Sequence, residues 1–121
     1  ENDDRESLYS VQDLYDGVYK IIGIPIVFDY HHHKFCNGNL SEDEALKLAI
    51  STWGEITPVV HYSESRSIEK KDKTIKPQAH SDYVYNYINT YNNKVDIMIE
   101  AKHKELAVLK YLKLHKKLVT K

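Results

Sequence analysis

The side chains with the most chemistry to offer are Asp29 with the histidine run His31, His32 and His33 behind it, then His61, then Glu100. Each stands at or near the end of an apolar, β-branched stretch: IPIVFDY runs into Asp29, TPVVHYS turns polar at His61, and VDIMIEA reaches Glu100. Carboxylate and imidazole together suit Zn2+, Mn2+ or Fe2+, because imidazole favours the later first-row metals and carboxylate the harder ones. Val27 and Asp29, Val59 and His61, and Met98 and Glu100 are spaced by two, so in an extended strand each pair shares a face. Strict alternation favours His31 as the companion of Asp29. A lone histidine at a strand end is ordinarily solvated or hydrogen-bonded, and a lone carboxylate there is usually a helix cap. The repetition on three strands is what points to a shared cation. The run at 31–33 is internal and too short for an expression tag.

Positioning these groups falls to an alternation of helices and strands. Val11, Leu14, Tyr15, Val18, Ile21 and Ile22 recur at helical spacing until Gly23. SEDE at 41–44 fits the Ser-x-x-Glu capping box and opens a helix through Ala45, Leu48, Ile50 and Trp53 to about Glu55. The polar stretch 64–80 predicts a long exposed loop, and the tyrosine-rich 81–91 a helix. Asn92-Asn93 predicts a turn, and a last helix follows through Leu106, Leu109, Leu112 and Leu118. The order αβαβαβα implies an α/β fold with right-handed crossovers and a parallel sheet, with ligand sites at the carboxyl ends of its strands. Glu1-Asn2-Asp3-Asp4 sits where the end of a further strand is expected. The expectation is therefore one partial domain over 1–121, a piece of a TIM (β/α) barrel lacking the strand before it. Its sheet edges and one apolar face would then be open to the rest of the barrel or to self-association.

The 121 residues, 41% apolar with three prolines and four glycines, are those of a soluble globular domain, and no apolar run nears the roughly 20 residues of a membrane span. Cys36 is the single cysteine and ENDDRES is too acidic for a signal peptide, which predicts an intracellular setting, cytoplasmic or nuclear. Net charge is −1, yet residues 102–121 carry seven lysines against Glu105 alone. That basic end is either a solvated helix face or a phosphate-binding surface. Rival chemistries lack their parts. Ser63 near His61 has no Gly-x-Ser-x-Gly turn around it, Cys36 near His33 is only a sequence neighbour, and no glycine-rich phosphate loop is present. The ten tyrosines suit core and interface better than base stacking.

The motifs ENDD (1–4), FDYHHH (28–33), HYSES (61–65), AHSD (79–82) and IEAKHKE (99–105) together resemble the carboxyl-terminal half of the UV damage endonuclease family, in order and in spacing. The resemblance implies a TIM barrel holding a divalent metal cluster, Mn2+ ahead of Zn2+ or Mg2+. It also implies cleavage of damaged double-stranded DNA on the 5′ side of UV photoproducts. Carried onto this chain, it makes Glu1, Asp29, His32, His61, His80 and Glu100 metal ligands and catalytic residues. Its Asp-x-x-His pattern selects His32, which requires the chain to leave strand geometry by that point; His31 and His33 are then rim residues. Val59 stands where the family places a lysine, which implies an altered interaction. Arg66, Lys102 and Lys104 fall on loops above such a site and are candidates for holding DNA phosphates. The family's remaining ligands belong to its amino-terminal half, so this chain alone is expected to be inactive. Endonuclease IV, an abasic-site enzyme, is the near rival, but it carries an aspartate where Gln78 stands. A sugar isomerase-like metal barrel and an inert half-barrel are more distant rivals.

Overall fold

The computed structural model describes residues 1–116; Leu118, expected in the last helix, lies outside them, as do Lys117 and Lys121. The chain parts into two compact units. The first comprises Glu1–His61 with Thr90–Met98, the second Tyr62–Asn89 with Ile99–Lys121. Among the described residues no helix is long and apolar enough to cross a membrane.

In the first unit the helix expected from residue 11 to 22 is present with a change of pitch. α1 (Val11–Leu14) opens on a Ser10/Asp13 capping box, Tyr15–Tyr19 winds as a π-helix, and α2 (Lys20–Ile22) ends at Gly23 with φ +72°. Ile21 and Ile22 of its apolar stripe remain exposed, as does Ile24 after Gly23. The strand expected over IPIVFDY narrows to β1 (Phe28–Asp29). Ile26 explains the loss. Its amide donates to Thr52 Oγ1 at 2.8 Å and its carbonyl accepts Trp53 Nε1 at 2.8 Å, so its main chain is joined to the end of a helix instead of a neighbouring strand.

The chain turns helical at once after Asp29, in the single turn α3 (Tyr30–His33). α4 (Glu42–Ser51) begins with the expected Ser41/Glu44 capping box but stops short of Glu55. There the hydroxyls of Ser51 and Thr52 donate to Leu48 and Ala49 carbonyls, both at 2.6 Å. Ala45, Leu46 and Ala49 of α4 are buried, as are Ile26, Phe28 and Tyr30 on alternate positions around β1. Burying a side chain the size of Leu46 is worth about 1.5–3 kcal/mol.

β2 (Val59–Tyr62) pairs parallel with β1, Phe28 opposite Val60 and Asp29 opposite His61. β3 (Asp96–Ile99) completes the strand order β1-β2-β3, with the Asp96 amide donating to the Pro58 carbonyl at 2.8 Å. Parallel strands joined through helical segments make this an α/β fold, as the alternation of patterns implies.

The second unit departs from expectation at two places. The stretch 64–80 is not all loop: it contains α5 (Arg66–Glu69), and an antiparallel bridge joins Ser65 to His80. The tyrosine-rich 81–91 is not a helix. Its amides are taken elsewhere: those of Asp82 and Tyr83 by the Glu69 carboxylate, those of Tyr85 and Asn86 by Glu64, and that of Ile88 by the Tyr111 hydroxyl at 3.0 Å. Carboxylates that bind successive amides offer the backbone an alternative to the helical ladder. Tyr62, Val84, Ile88, Ala107 and Tyr111 form the buried apolar set of this unit, the last two from α6 (Glu105–Leu114).

Candidate metal centre

Asp29, wholly buried, ends β1 and caps α3. Its Oδ1 accepts the His32 amide at 2.9 Å. An aspartate at an N-cap satisfies one of the turn's open amides, and here the same contact returns the chain so that the third residue onward faces back over the cap. His32 therefore lies beside Asp29, its Nδ1 3.5 Å from Asp29 Oδ2 and 3.9 Å from a Glu1 carboxylate oxygen. The His32 Nδ1 is also 2.7 Å from the Asn2 carbonyl oxygen. A carbonyl can only accept, so this contact places the ring proton on Nδ1 and leaves Nε2 with its lone pair.

Asn2 also grips Asp29 directly. Its Nδ2 donates to the Asp29 carbonyl at 3.0 Å and its Oδ1 accepts the Asp29 amide at 2.9 Å. On β2, His61 stands opposite Asp29 in the ladder, and its Nδ1 is 2.6 Å from the second Glu1 oxygen. Glu1, Asp29 and His32 each offer a ligand atom, all within 4.8 Å of one another. Ligands sharing one ion at roughly 2.0–2.2 Å stand up to about 4.4 Å apart, so shifts of a few tenths of an ångström suit this set to a cation. Two carboxylates and an imidazole fit Mn2+, Zn2+ or Fe2+.

Strand alternation chose wrongly between the neighbouring histidines. The turn at Tyr30 carries His31 into the interior, where its ring meets the Phe35 ring at 5.2 Å nearly edge-on. His33 packs against Phe28, and burial lowers its pKa against the opposing pull of the Glu42 carboxylate. Both are core residues, not rim residues.

The other expected site residues lie in the second unit. Glu100 follows β3, half-buried, its amide donating to the Tyr62 carbonyl at 2.9 Å. His80 is half-buried in the bridge to Ser65. The Arg66 guanidinium is bound to Asp82, which also meets Lys70 Nζ at 2.8 Å; Lys70 first and then Arg66 hold that carboxyl below its usual pKa, against desolvation. Arg66 is thus committed to an internal network. Lys102 and Lys104 are exposed in the turn before α6. Asn2 is the residue that the sequence reading passed over, since an asparagine inside ENDD offers no ligand chemistry of its own.

A family profile described as UV-endonuclease UvdE matches residues 1–120. The chain belongs to that family. Among curated UvdE relatives, a UV DNA damage endonuclease of Bacillus mycoides is 40% identical over 101 residues, covering 74% of this chain and 29% of the relative. A UV-damage endonuclease of Schizosaccharomyces pombe is 38% identical over 115 residues, covering 89% of this chain and 18% of the relative. In three dimensions the chain is similar to the crystal structure of SacUVDE, with a TM-score of 0.73 and 35% identity over 97% of this chain and 38% of that one. The chain therefore spans well under half the length of these UvdE proteins.

Proposed function

We propose that this chain is the carboxyl-terminal part of a TIM-barrel DNA-repair endonuclease that hydrolyses a phosphodiester on the 5′ side of UV photoproducts with the help of divalent metal, Mn2+ above all. The observation that carries it is the Glu1, Asp29 and His32 donor set, drawn within 4.8 Å in a chain that belongs to the UvdE family. The similarity to SacUVDE supports the α/β fold on which the barrel reading builds.

Glu1, Asp29 and His32 would hold the ion through two carboxylates and a His32 ring nitrogen, with His61 beside them through its contact to Glu1. A bound ion supplies Lewis acidity toward the phosphate and a water of lowered pKa. The two carboxylates bring the negative charge that makes the position cation-selective. Asp29, held at both its main chain and its Oδ1, keeps that charge fixed in a dry setting where it acts most strongly. His80 and Glu100 enter the proposed ligand set on the family motifs. Lys102 and Lys104 are the proposed contacts to DNA phosphates; Arg66, the first residue of α5, contributes by tying that helix to Asp82.

The test joins metal binding to strand cleavage. Calorimetry with Mn2+ should give uptake by the chain that Asp29→Asn and His32→Ala each weaken by more than about 100-fold, the most expected from losing an outer partner alone. The chain joined to the remaining barrel segments of a relative should nick UV-irradiated plasmid in the presence of Mn2+. Nicking confined to abasic plasmid, isomerisation of sugars instead of nicking, or cleavage indifferent to Asp29→Asn would each overturn the reading.

A further inference from the structure

We infer that Asn2 is a positioning residue for this centre, holding Asp29 by the main chain and His32 by the ring so that Glu1, Asp29 and His32 form one rigid set. The inference rests on the metal-binding reading above and adds to it the residue that arranges the ligands.

Asn2 is wholly buried, and a buried carboxamide is costly unless its donor and acceptor are both met. Both go to a single residue 27 positions away: Nδ2 to the Asp29 carbonyl and Oδ1 to the Asp29 amide. Two such bonds to one residue reproduce what a paired strand residue would supply. Asp29 needs that support, because β1 is only two residues long. The Asn2 carbonyl then accepts the His32 Nδ1 proton at 2.7 Å, which sets both tautomer and ring direction. Hydrogen bonds of this kind to the second nitrogen orient histidines that bind metal through the first. Glu1 is the residue immediately before Asn2, with a carboxylate oxygen 2.6 Å from His61 Nδ1. One residue thus holds two of the ligands directly and is joined through the chain to the third.

Two variants and a control separate this role from simple packing. Asn2→Asp keeps the size and one acceptor but faces the Asp29 carbonyl with an oxygen. Asn2→Ser removes the pair of hydrogen bonds to Asp29 without adding charge. Both should lower Mn2+ affinity about 10- to 100-fold by calorimetry. In the metal-free protein, long-range proton–nitrogen NMR should show His32 as the Nδ1–H tautomer, and the variants should average it toward a mixture. Val11→Ala, which removes a buried side chain from α1, should lower the melting temperature while leaving Mn2+ affinity and the His32 pattern as they are. Variants that bind Mn2+ as the parent does would overturn the inference, and so would a parent His32 that is not the Nδ1–H tautomer. Should the parent take up no Mn2+, the metal reading fails, and Asn2 is judged on the ring pattern: averaging in the variants upholds its positioning role, an unchanged pattern refutes it.

Discussion

Single side chains set several properties by long-range contact. Tyr85 donates its hydroxyl to Glu69 at 2.7 Å and Tyr91 donates to Glu42 at 2.6 Å. Ionising either phenol would put a second negative charge against its carboxylate, so the hydrogen bond first, then desolvation and the acid's charge, push each pKa up to about 12. The folded value lies above the ordinary 10.0, so the contribution of these pairs is complete below pH 10.0 and is lost as pH rises through about 12. Near-ultraviolet tyrosinate absorbance should therefore show late steps in the alkaline titration, and Tyr85→Phe with Tyr91→Phe should reduce them, leaving Tyr111, which burial also pushes up. Early, uniform titration of the parent would contradict the geometry. At the same scale, the choice of His32 over His31 comes from one capping contact, the Asp29 carboxylate on the His32 amide.

Elements with a local code form where the code says. The Ser41/Glu44 box closes the first turn of α4 with bonds of 2.9 and 3.1 Å, both exposed. Ser41→Ala should cost about 1 kcal/mol in urea unfolding, with Glu44→Ala costing less or the same, since each removes one half of the reciprocal cap. A null effect of Ser41→Ala would mean that packing of Ala45, Leu46 and Ala49 alone fixes the start of α4. Elements with a weak code yield to their surroundings. The tyrosines at 83–91 have helical spacing, but the Glu64 and Glu69 carboxylates take four amides between residues 82 and 86, and no helix forms.

For the whole molecule, the proposed role as part of a DNA-repair endonuclease makes salt the most direct probe. Lys102 and Lys104 are exposed, while Arg66 is held by Asp82. If the two lysines each neutralise a phosphate, Lys102→Ala and Lys104→Ala should each reduce the slope of log affinity against log salt by about 0.9 for duplex DNA. Arg66→Ala should change that slope little and act through the loop with Asp82 and Lys70 instead. Equal slopes for all three variants would remove the distinction between surface and internal cations.

Much of this protein was determined by the order of residues alone. The alternation of helical and extended patterns, the capping box at 41–44, the strands ending near Asp29, His61 and Glu100, and the family motifs are all written in neighbouring residues, because periodicity and caps depend on contacts within about one turn. What the tertiary structure decided lies in contacts between distant positions. Asn2 meets Asp29 across 27 residues, Glu64 meets Tyr85 across 21, and Tyr111 meets Ile88 across 23. Such bonds shorten a strand, replace a helix by an irregular segment and hold Asp29 and the His32 ring in place. No short stretch of sequence contains both partners, so only folding reveals which of the available donors and acceptors meet.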